Sequence, residues 1–376
     1  MILIRSRISD LDQAHTTTGI NVIARMERNQ MSDAVAEIRR GGRVESLHPG
    51  IIAVADVSGR LVASVGDPSW PVFFRSSAKP FQAIPLIETG AADRFAFTDA
   101  ELALACASHN AEARHQQAVA AMLTKVGLDP TALRCGCPLP SDREAAARVV
   151  LGIDPPSPLQ CDCSGKHTGM LATAVHLSEP IADYLAPSHP VQQRVRTAVA
   201  TLLRCPAEDL LDGTDGCSLP TFGAPISSFA VAYATFAAPT DAPAGAGRDQ
   251  ATTLLRLRAA MLAHPENVAG TGELVSDLMA IGEGRLVAKS GAEGLLCLAA
   301  PKRGLGIAIR ILDGSFRAHA AVAFSLIEQL DLLDAARLAA LRERHPATIR
   351  NHNGWEVGEI RASFELSRPA SGTGGG

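Results

Sequence analysis

The stretch IIAVADVSGRLVASV, residues Ile51–Val65, decides the fold class. Its two halves, Ile51–Val57 and Leu61–Val65, are apolar and rich in β-branched residues, and Ser58-Gly59 between them is a turn signal. This pattern predicts two antiparallel strands joined by a tight turn. Strand-like segments return only late in the chain, at Leu286–Lys289, Leu295–Ala299, Gly304–Ile311 and Val357–Ile360. We therefore expect the early hairpin and the late strands to share one sheet.

The segment between these strands has helical patterns. Thr98, followed three residues later by Glu101, predicts a capping box at a helix start. Glu112–Val126 is amphipathic and ends at Gly127, a typical helix-ending residue. Two more helices are predicted, at Val191–Leu203 and Asp249–Ala263. Because a doubly wound parallel sheet would alternate strand and helix throughout, this order predicts an α/β protein of the α+β type, with a mainly antiparallel sheet flanked by helices.

Composition excludes several function classes. The 376 residues are 47% hydrophobic, with 35 Lys+Arg against 39 Asp+Glu, a formal net charge of -4. A nucleic-acid-binding surface needs clustered basic residues or stacking aromatics, and aromatics are only 4% of the chain. No apolar run approaches the ~20 residues that span a bilayer. We expect a soluble globular enzyme with no nucleic-acid or membrane partner.

Three regions are expected along the chain. Residues 1–40 are interpreted as a flexible N-terminal extension, with Met31 as an alternative start, residues 41–362 as the main domain, and residues 363–376 as a disordered tail. The first residues lack the order of a signal peptide. Eight cysteines are too sparse for a disulfide scaffold. These features favour a cytoplasmic protein with free thiols.

Three short motifs point to acyl transfer. They are Ser76-Ser-Ala-Lys79, Ser108-His109-Asn110 and Lys289-Ser290-Gly291. Residues three apart share a helix face, so the Lys79 amine can reach the Ser76 hydroxyl, which needs a base to become a nucleophile. Serine β-lactamases and transpeptidases use such motifs in this chain order. Each motif alone is common, and each also fits a helix start, a cap or a strand end.

The cysteines of the middle segment point to a metal or to packing. They occur as Cys135-Gly-Cys137, as Cys161-Asp-Cys163 followed by Lys166 and His167, and as Cys217. Thiolates suit a soft cation such as zinc, although the spacing matches no common zinc finger. Free cysteines are more often small buried hydrophobes. Both interpretations stay open on spacing alone.

Five segments together resemble one family. They are RSSAKPFQA (Arg75–Ala83), CASHNAEARH (Cys106–His115), CSGKHTGML (Cys163–Leu171), DGCSLPTF (Asp215–Phe222) and AKSGAEG (Ala288–Gly294). In this order they resemble the Rhizobium-type, or class 3, L-asparaginases over about Gly41 to Ile360. The resemblance implies a fold similar to the serine β-lactamases and a homodimer. It also implies hydrolysis of L-asparagine to L-aspartate and ammonia.

The resemblance implies two Ser–Lys tandems facing one pocket. Ser76 and Lys79 form the first, and Ser108 and Lys289 form the second. In the expected mechanism Ser76 attacks the amide carbon while Lys79, its pKa lowered by burial near Lys289, takes the proton. The inverted assignment, with Ser108 as the nucleophile, stays open.

The resemblance also implies a zinc site, held by Cys163, Lys166 and Cys217 with water as a fourth ligand. Asp215 beside that metal would orient Lys166 or the water. A lysine ligand must be neutral, which costs free energy near pH 7. The zinc is expected to hold the pocket and the substrate head group, and it is not necessarily required for turnover.

Other residues are candidates for substrate binding. The planar fork of Arg75 suits the substrate α-carboxylate, or else pairs with an acidic neighbour. His109 and Asn110 either contact the substrate, support Ser108 or cap the helix end. Asp215 is placed with them beside the substrate. Two rival functions remain: a serine amidase, peptidase or β-lactamase-like hydrolase acting on a larger amide, and a non-catalytic zinc or redox thiol module.

Overall fold

The computed structural model describes residues 33–242 and 248–368. Eleven strands occur in these ranges: β1 (Ala34–Arg40), β2 (Arg43–Asp56), β3 (Leu61–Val65), β4 (Pro71–Phe73), β5 (Leu211–Thr214), β6 (Pro220–Pro225), β7 (Val287–Gly291), β8 (Leu295–Ala300), β9 (Leu305–Ile311), β10 (Thr348–Arg350) and β11 (Glu356–Ala362). The main sheet has the order β10-β11-β1-β2-β9-β8-β7, with β3 paired to β2. A smaller sheet has the order β4-β6-β5. Every pairing between these strands is antiparallel.

Helices fill the middle of the described chain and follow the last long strands. They are α1 (Lys79–Gln82), α2 (Ile84–Glu88), α3 (Ala91–Arg94), α4 (Asp99–Ala105), α5 (Ala113–Val126), α6 (Arg143–Val150), α7 (Ser164–His176), α8 (Pro190–Leu203), α9 (Ile226–Ala237), α10 (Arg248–Ala263), α11 (Pro265–Val268), α12 (Leu274–Gly282), α13 (His319–Gln329) and α14 (Ala335–Arg344). None of the helices in the described ranges has the length and apolar character needed to cross a membrane.

The predicted α+β architecture is confirmed. Strands β2 and β3 pair with Ile52 opposite Val65, as the turn signal predicted. Strand β9 lies between β2 and β8, so the early and late strands do meet in one sheet. The capping box of Thr98 and Glu101 opens α4, and Gly127 ends α5 in the left-handed conformation. These elements formed as predicted because their signals are local.

The described structure extends beyond both expected boundaries of the main domain. Ala34–Arg40, assigned to the flexible extension, is β1, which pairs with β2 and β11. Its Val35 and Ile38 side chains are buried, and apolar burial on both sides holds the strand in the sheet. At the other end, Ser367 pairs with Ser64 and Leu366 donates its backbone N–H to Gln329, so contacts with the sheet and helices continue past residue 362. Residues 1–32 and 369–376 lie outside the described residues.

Helix α9 packs across the main sheet and fixes the segment that carries Ser76. Gly306 of β9 lies directly against this helix: a Cβ at that position would be 2.0 Å from the carbonyl oxygen of Ala230 in α9. Phe229 of the same helix stacks on Phe74, with ring centroids 4.0 Å apart. The Tyr233 hydroxyl donates to the Ser77 carbonyl at 2.8 Å. Buried aromatic and polar contacts therefore fix the turn at the start of the first motif.

Candidate active site

The Ser-x-x-Lys motif spans two short helices. Arg75–Ala78 is a 3-10 turn that begins with Arg75 in the left-handed region at φ 47, and α1 begins at Lys79. Lys79 is fully buried, and its amine donates to the hydroxyl of Ser108 at 2.8 Å. Within the described chain the Ser76 hydroxyl makes no hydrogen bond. The expected contact between Ser76 and Lys79 is therefore not formed, because the lysine side chain turns to Ser108.

Ser108 is placed by a loop that follows α4. Its backbone N–H donates to the Val268 carbonyl at 2.9 Å, and the Asn110 N–H donates to the Ala269 carbonyl at 2.8 Å. Gly270 follows Ala269 and has φ 139, and a Cβ there would lie 2.3 Å from the Asn110 amide nitrogen. Only glycine fits this close approach. The serine loop is thus held by the segment before α12.

Lys289 reaches the same serine from the sheet. It lies on the edge strand β7 with 1% of its surface exposed. Its amine is hydrogen-bonded to the Ser108 hydroxyl at 2.8 Å and donates to the Ser290 carbonyl at 2.8 Å. The expected contact between Ser108 and Lys289 is present. Ser108 therefore lies between two buried lysine amines.

The two lysines differ in their electrostatic environment. Burial lowers the pKa of Lys79, but the nearby Asp162 carboxylate and the Cys163 sulfur outweigh it and raise the pKa above the ordinary lysine value. Burial and the Lys79 cation hold the pKa of Lys289 well below that value. Lys79 therefore holds its proton more firmly than an ordinary lysine, whereas Lys289 loses its proton more readily and is the better candidate for a base.

Asp162 is a site residue that sequence reasoning missed. Its carboxylate lies 3.3 Å from the Lys79 amine, and 46% of its side chain is exposed. Its position between Cys161 and Cys163, directly before α7, was the signal that could have found it. Asp162 supplies the negative charge that keeps Lys79 protonated.

A cleft of about 470 Å³ opens beside Ser108. Among the expected residues it is lined by Ser108, His109 and Asn110. Lining residues that sequence reasoning did not single out include Asp162, Phe316, His319 and His345. Ser76 is not among the residues that line the cleft. A small ligand in this cleft could therefore reach Ser108 but not Ser76.

The predicted zinc ligands lie together near Lys79. The Lys166 amine donates to the Cys217 sulfur at 3.3 Å, and all three candidate ligands, Cys163, Lys166 and Cys217, are buried. Hydrogen bonds from the Cys161 and Cys217 thiols, together with the nearby lysines, hold the pKa of Cys163 well below the ordinary thiol value. The Cys163 thiol, directly before α7, therefore gives up its proton more readily than an ordinary cysteine. Helix α7 packs directly on α4: a Cβ on Gly165 of α7 would be 2.2 Å from the carbonyl oxygen of Leu104 in α4.

This donor set fits zinc. A tetrahedral zinc with bonds of about 2.3 Å to sulfur and about 2.0 Å to nitrogen keeps those two atoms about 3.5 Å apart. The 3.3 Å separation between Lys166 Nζ and Cys217 Sγ is close to this value. Burial lowers the pKa of Lys166, but the neighbouring sulfurs of Cys163 and Cys217 raise it more. A metal would therefore have to displace the lysine proton.

Arg75 and Asp215 form an ion pair next to this cluster. Arg75 Nε donates to Asp215 Oδ1 at 2.8 Å, with the two side chains 26% and 9% exposed. Two roles were considered for Arg75, binding the substrate α-carboxylate and pairing with an acidic neighbour. The structure contains the second, with Asp215 as the partner. Asp215 also accepts the Gly216 N–H at 3.0 Å. The pair connects the segment carrying Ser76 to the segment carrying Cys217.

His109 and Asn110 contact protein groups on both sides of Ser108. His109 Nε2 lies 2.9 Å from the Ser164 hydroxyl, and burial, with His115 nearby, lowers the pKa of His109 to about 3. His109 is therefore neutral. The Asn110 amide donates to Glu112 at 3.0 Å, and Glu112 also accepts the Thr271 N–H at 2.7 Å. Both residues support the loops that hold Ser108.

Comparison with known proteins identifies the family. A family model for L-asparaginase II matches residues 36–362. The chain therefore belongs to the L-asparaginase II family. No curated protein matches it significantly.

Similar solved structures are crystal structures of Mglu. The structure of Mglu in its tris and glutamate form is 17% identical over 85% of this chain and 68% of that chain, with a TM-score of 0.35. Another Mglu structure is 16% identical over 83% of this chain and 74% of that chain, also with a TM-score of 0.35. At these TM-scores the likeness carries no argument about function.

Proposed function

We propose that this protein is an L-asparaginase that hydrolyses L-asparagine to L-aspartate and ammonia through an acyl-enzyme on Ser108. The observation that carries the proposal is the pair of buried lysine amines, Lys79 and Lys289, each 2.8 Å from the Ser108 hydroxyl oxygen. A serine hydroxyl becomes a nucleophile beside a base, and a lysine with a lowered pKa is such a base. Membership of the L-asparaginase II family supports the amide substrate.

In the proposed mechanism Lys289 moves the proton. Neutral Lys289 accepts the Ser108 proton as the oxygen attacks the side-chain amide carbon of asparagine. The Lys289 ammonium then gives this proton to the leaving nitrogen, ammonia departs, and an aspartyl ester remains on Ser108. Lys289 next deprotonates a water that attacks the ester, and finally returns the proton to Ser108 as aspartate leaves. Lys79 stays protonated and holds the serine oxygen in place.

We propose that Cys163, Lys166 and Cys217 hold a zinc ion beside this centre, with Asp215 orienting Lys166. When bound, zinc supplies a positive charge that can fix the substrate head group and stiffen the pocket. The protein residues carry the proton steps described above, so turnover does not require the metal in this scheme.

Further parts of the proposal rest on the family resemblance. The fold is proposed to be related to the serine β-lactamases, with Ser-x-x-Lys, Ser-x-Asn and Lys-Ser-Gly in the same order. A homodimer and a cytoplasmic location are proposed with it. Ser76, partly exposed beside Arg75, is proposed as the second serine of the site and not as the nucleophile.

A second candidate substrate is a longer amide. A neighbouring cleft of about 650 Å³ shares Ala320 and His345 with the Ser108 cleft, and Arg317 and Arg361 line it. The two clefts together have room for an amide larger than asparagine. A chromogenic β-lactam and short peptides, tested beside asparagine, separate the two candidates by the substrate that is hydrolysed.

Ammonia release from L-asparagine, with L-glutamine alongside, tests the main proposal. Wild type, Ser108→Ala and Ser76→Ala are compared as zinc-loaded, folded protein. We expect Ser108→Ala to lose turnover and Ser76→Ala to keep a measurable rate. Loss only in Ser76→Ala would move the nucleophile to Ser76. Absence of ammonia from wild type would reject the asparaginase function.

A further inference from the structure

A row of thiols continues from the proposed zinc ligands toward Cys135. The Cys161 thiol donates a hydrogen bond to the backbone carbonyl of Cys135 at 3.5 Å, and its sulfur lies within 4.8 Å of the Cys163 sulfur. Cys217 neighbours Cys163 at the other end of this row. All four are buried, with 2–4% of their surfaces exposed. The proposed zinc site uses only Cys163 and Cys217. The proposed function therefore leaves two buried thiols, Cys135 and Cys161, without a role.

Asp162 adds an oxygen ligand at this end of the row. One oxygen atom from Asp162 and the sulfurs of Cys161 and Cys163 all lie within 4.8 Å of one another. Asp162 Oδ1 is 3.8 Å from Cys161 Sγ. A tetrahedral zinc, with bonds of about 2.3 Å to sulfur and about 2.0 Å to oxygen, keeps those atoms about 3.5 Å apart. The existing geometry is therefore close to what the metal needs.

The two oxygens of Asp162 have separate partners. Oδ2 lies 3.3 Å from the Lys79 amine, while Oδ1 faces the Cys161 sulfur. A cation bound through Oδ1 thus leaves the contact with Lys79 in place. Two thiolates and one carboxylate also supply three negative charges, which offsets the nearby lysine cations.

We propose that Cys161, Asp162 and Cys163 bind a second thiophilic divalent cation, with zinc as the metal that fits the ligand set, and that the Cys163 thiolate is shared with the site of Cys163, Lys166 and Cys217. Binding displaces the Cys161 thiol proton to solvent. Asp162 lines the Ser108 cleft, so an ion held by its carboxylate lies beside that cleft.

Cobalt(II) titration of the metal-stripped full chain tests this proposal. Bound cobalt is counted by elemental analysis after gel filtration, and thiolate ligation is followed by the thiolate-to-cobalt charge-transfer absorption. We expect two ions per chain in wild type and one in Cys161→Ser. Lys166→Met is expected to lose the other ion and keep the one at Cys161. The matched control, Cys205→Ser, alters a thiol outside the row and keeps two ions.

Asp162→Asn is a second variant, used in case Cys161→Ser fails to fold. The Asp162 side chain is partly exposed, so we expect the fold to tolerate this change. We expect it to weaken the second cobalt ion at least tenfold while the first is unchanged. A single ion per chain in wild type would overturn the proposal. Two ions of unchanged affinity in both Cys161→Ser and Asp162→Asn would also overturn it.

Discussion

The amine of Lys79 lies 2.8 Å from the hydroxyl oxygen of Ser108, although 29 positions separate the two residues in the chain. Lys289 approaches the same oxygen at the same distance from the edge of the sheet. The centre is therefore one serine between two lysines, in place of two separate Ser–Lys pairs. Burial and the neighbouring Lys79 cation lower the pKa of Lys289, so Lys289 is the lysine better suited to accept a proton.

Replacing Lys289 with methionine removes the proposed base while keeping an unbranched side chain. We expect kcat for ammonia release to fall about 100- to 10,000-fold, the usual contribution of a general base. Lys302→Met, at an exposed lysine outside the cleft, is the control and should leave kcat unchanged. A near-normal kcat in Lys289→Met would show that another group takes the serine proton.

Gly270→Ala tests the packing that holds the serine loop. The new Cβ would lie 2.3 Å from the Asn110 amide nitrogen, at a φ of 139 that alanine rarely adopts. We expect a loss of about 1–3 kcal/mol in the free energy of unfolding and a lower kcat. Gly272→Ala, on the same loop with φ 74 and open space around its Cβ, should cost less. Urea unfolding of both variants measures the difference, and equal losses would contradict the role of the Asn110 contact.

Acid should destabilise the protein in part through His109. Its pKa is about 3 in the folded chain against an ordinary value of 6.5, so between these values the unfolded chain binds more protons. The stability that His109 contributes is therefore complete above pH 6.5 and is lost as the pH falls toward 3. In His109→Gln we expect a shallower dependence of the unfolding free energy on pH across this window. The control His352→Gln, at an exposed histidine, should follow wild type, and identical slopes in all three would reject this assignment.

Metal removal should lower thermal stability. An ion that binds only the folded chain raises Tm, so stripping zinc-loaded protein with a chelator should lower it. Cys163→Ser removes the thiolate that both proposed sites use, and we expect its Tm to respond little to the chelator. Differential scanning calorimetry of the two proteins makes the comparison. A chelator shift of the same size in Cys163→Ser would place the metal elsewhere.

Much of the fold was predictable because its signals are local. The hairpin of β2 and β3, the capping box at Thr98 and the helix stop at Gly127 each depend on a few neighbouring residues. Strand β1 was missed because only its pairing with β2 and β11, a contact between distant segments, reveals it. The same holds for the residues after β11, where Ser367 pairs with Ser64.

The sequence by itself determined which residues are chemically able to act: Ser76, Lys79, Ser108, Lys289 and the cysteine-rich segments, recognised by residue type and order. Only the tertiary structure decided that both lysines meet at Ser108 and that Asp162 lies beside Lys79. The physical reason is that a lysine's partner and protonation state depend on burial and on charges within a few ångströms. Those distances are set by packing between segments far apart in the chain.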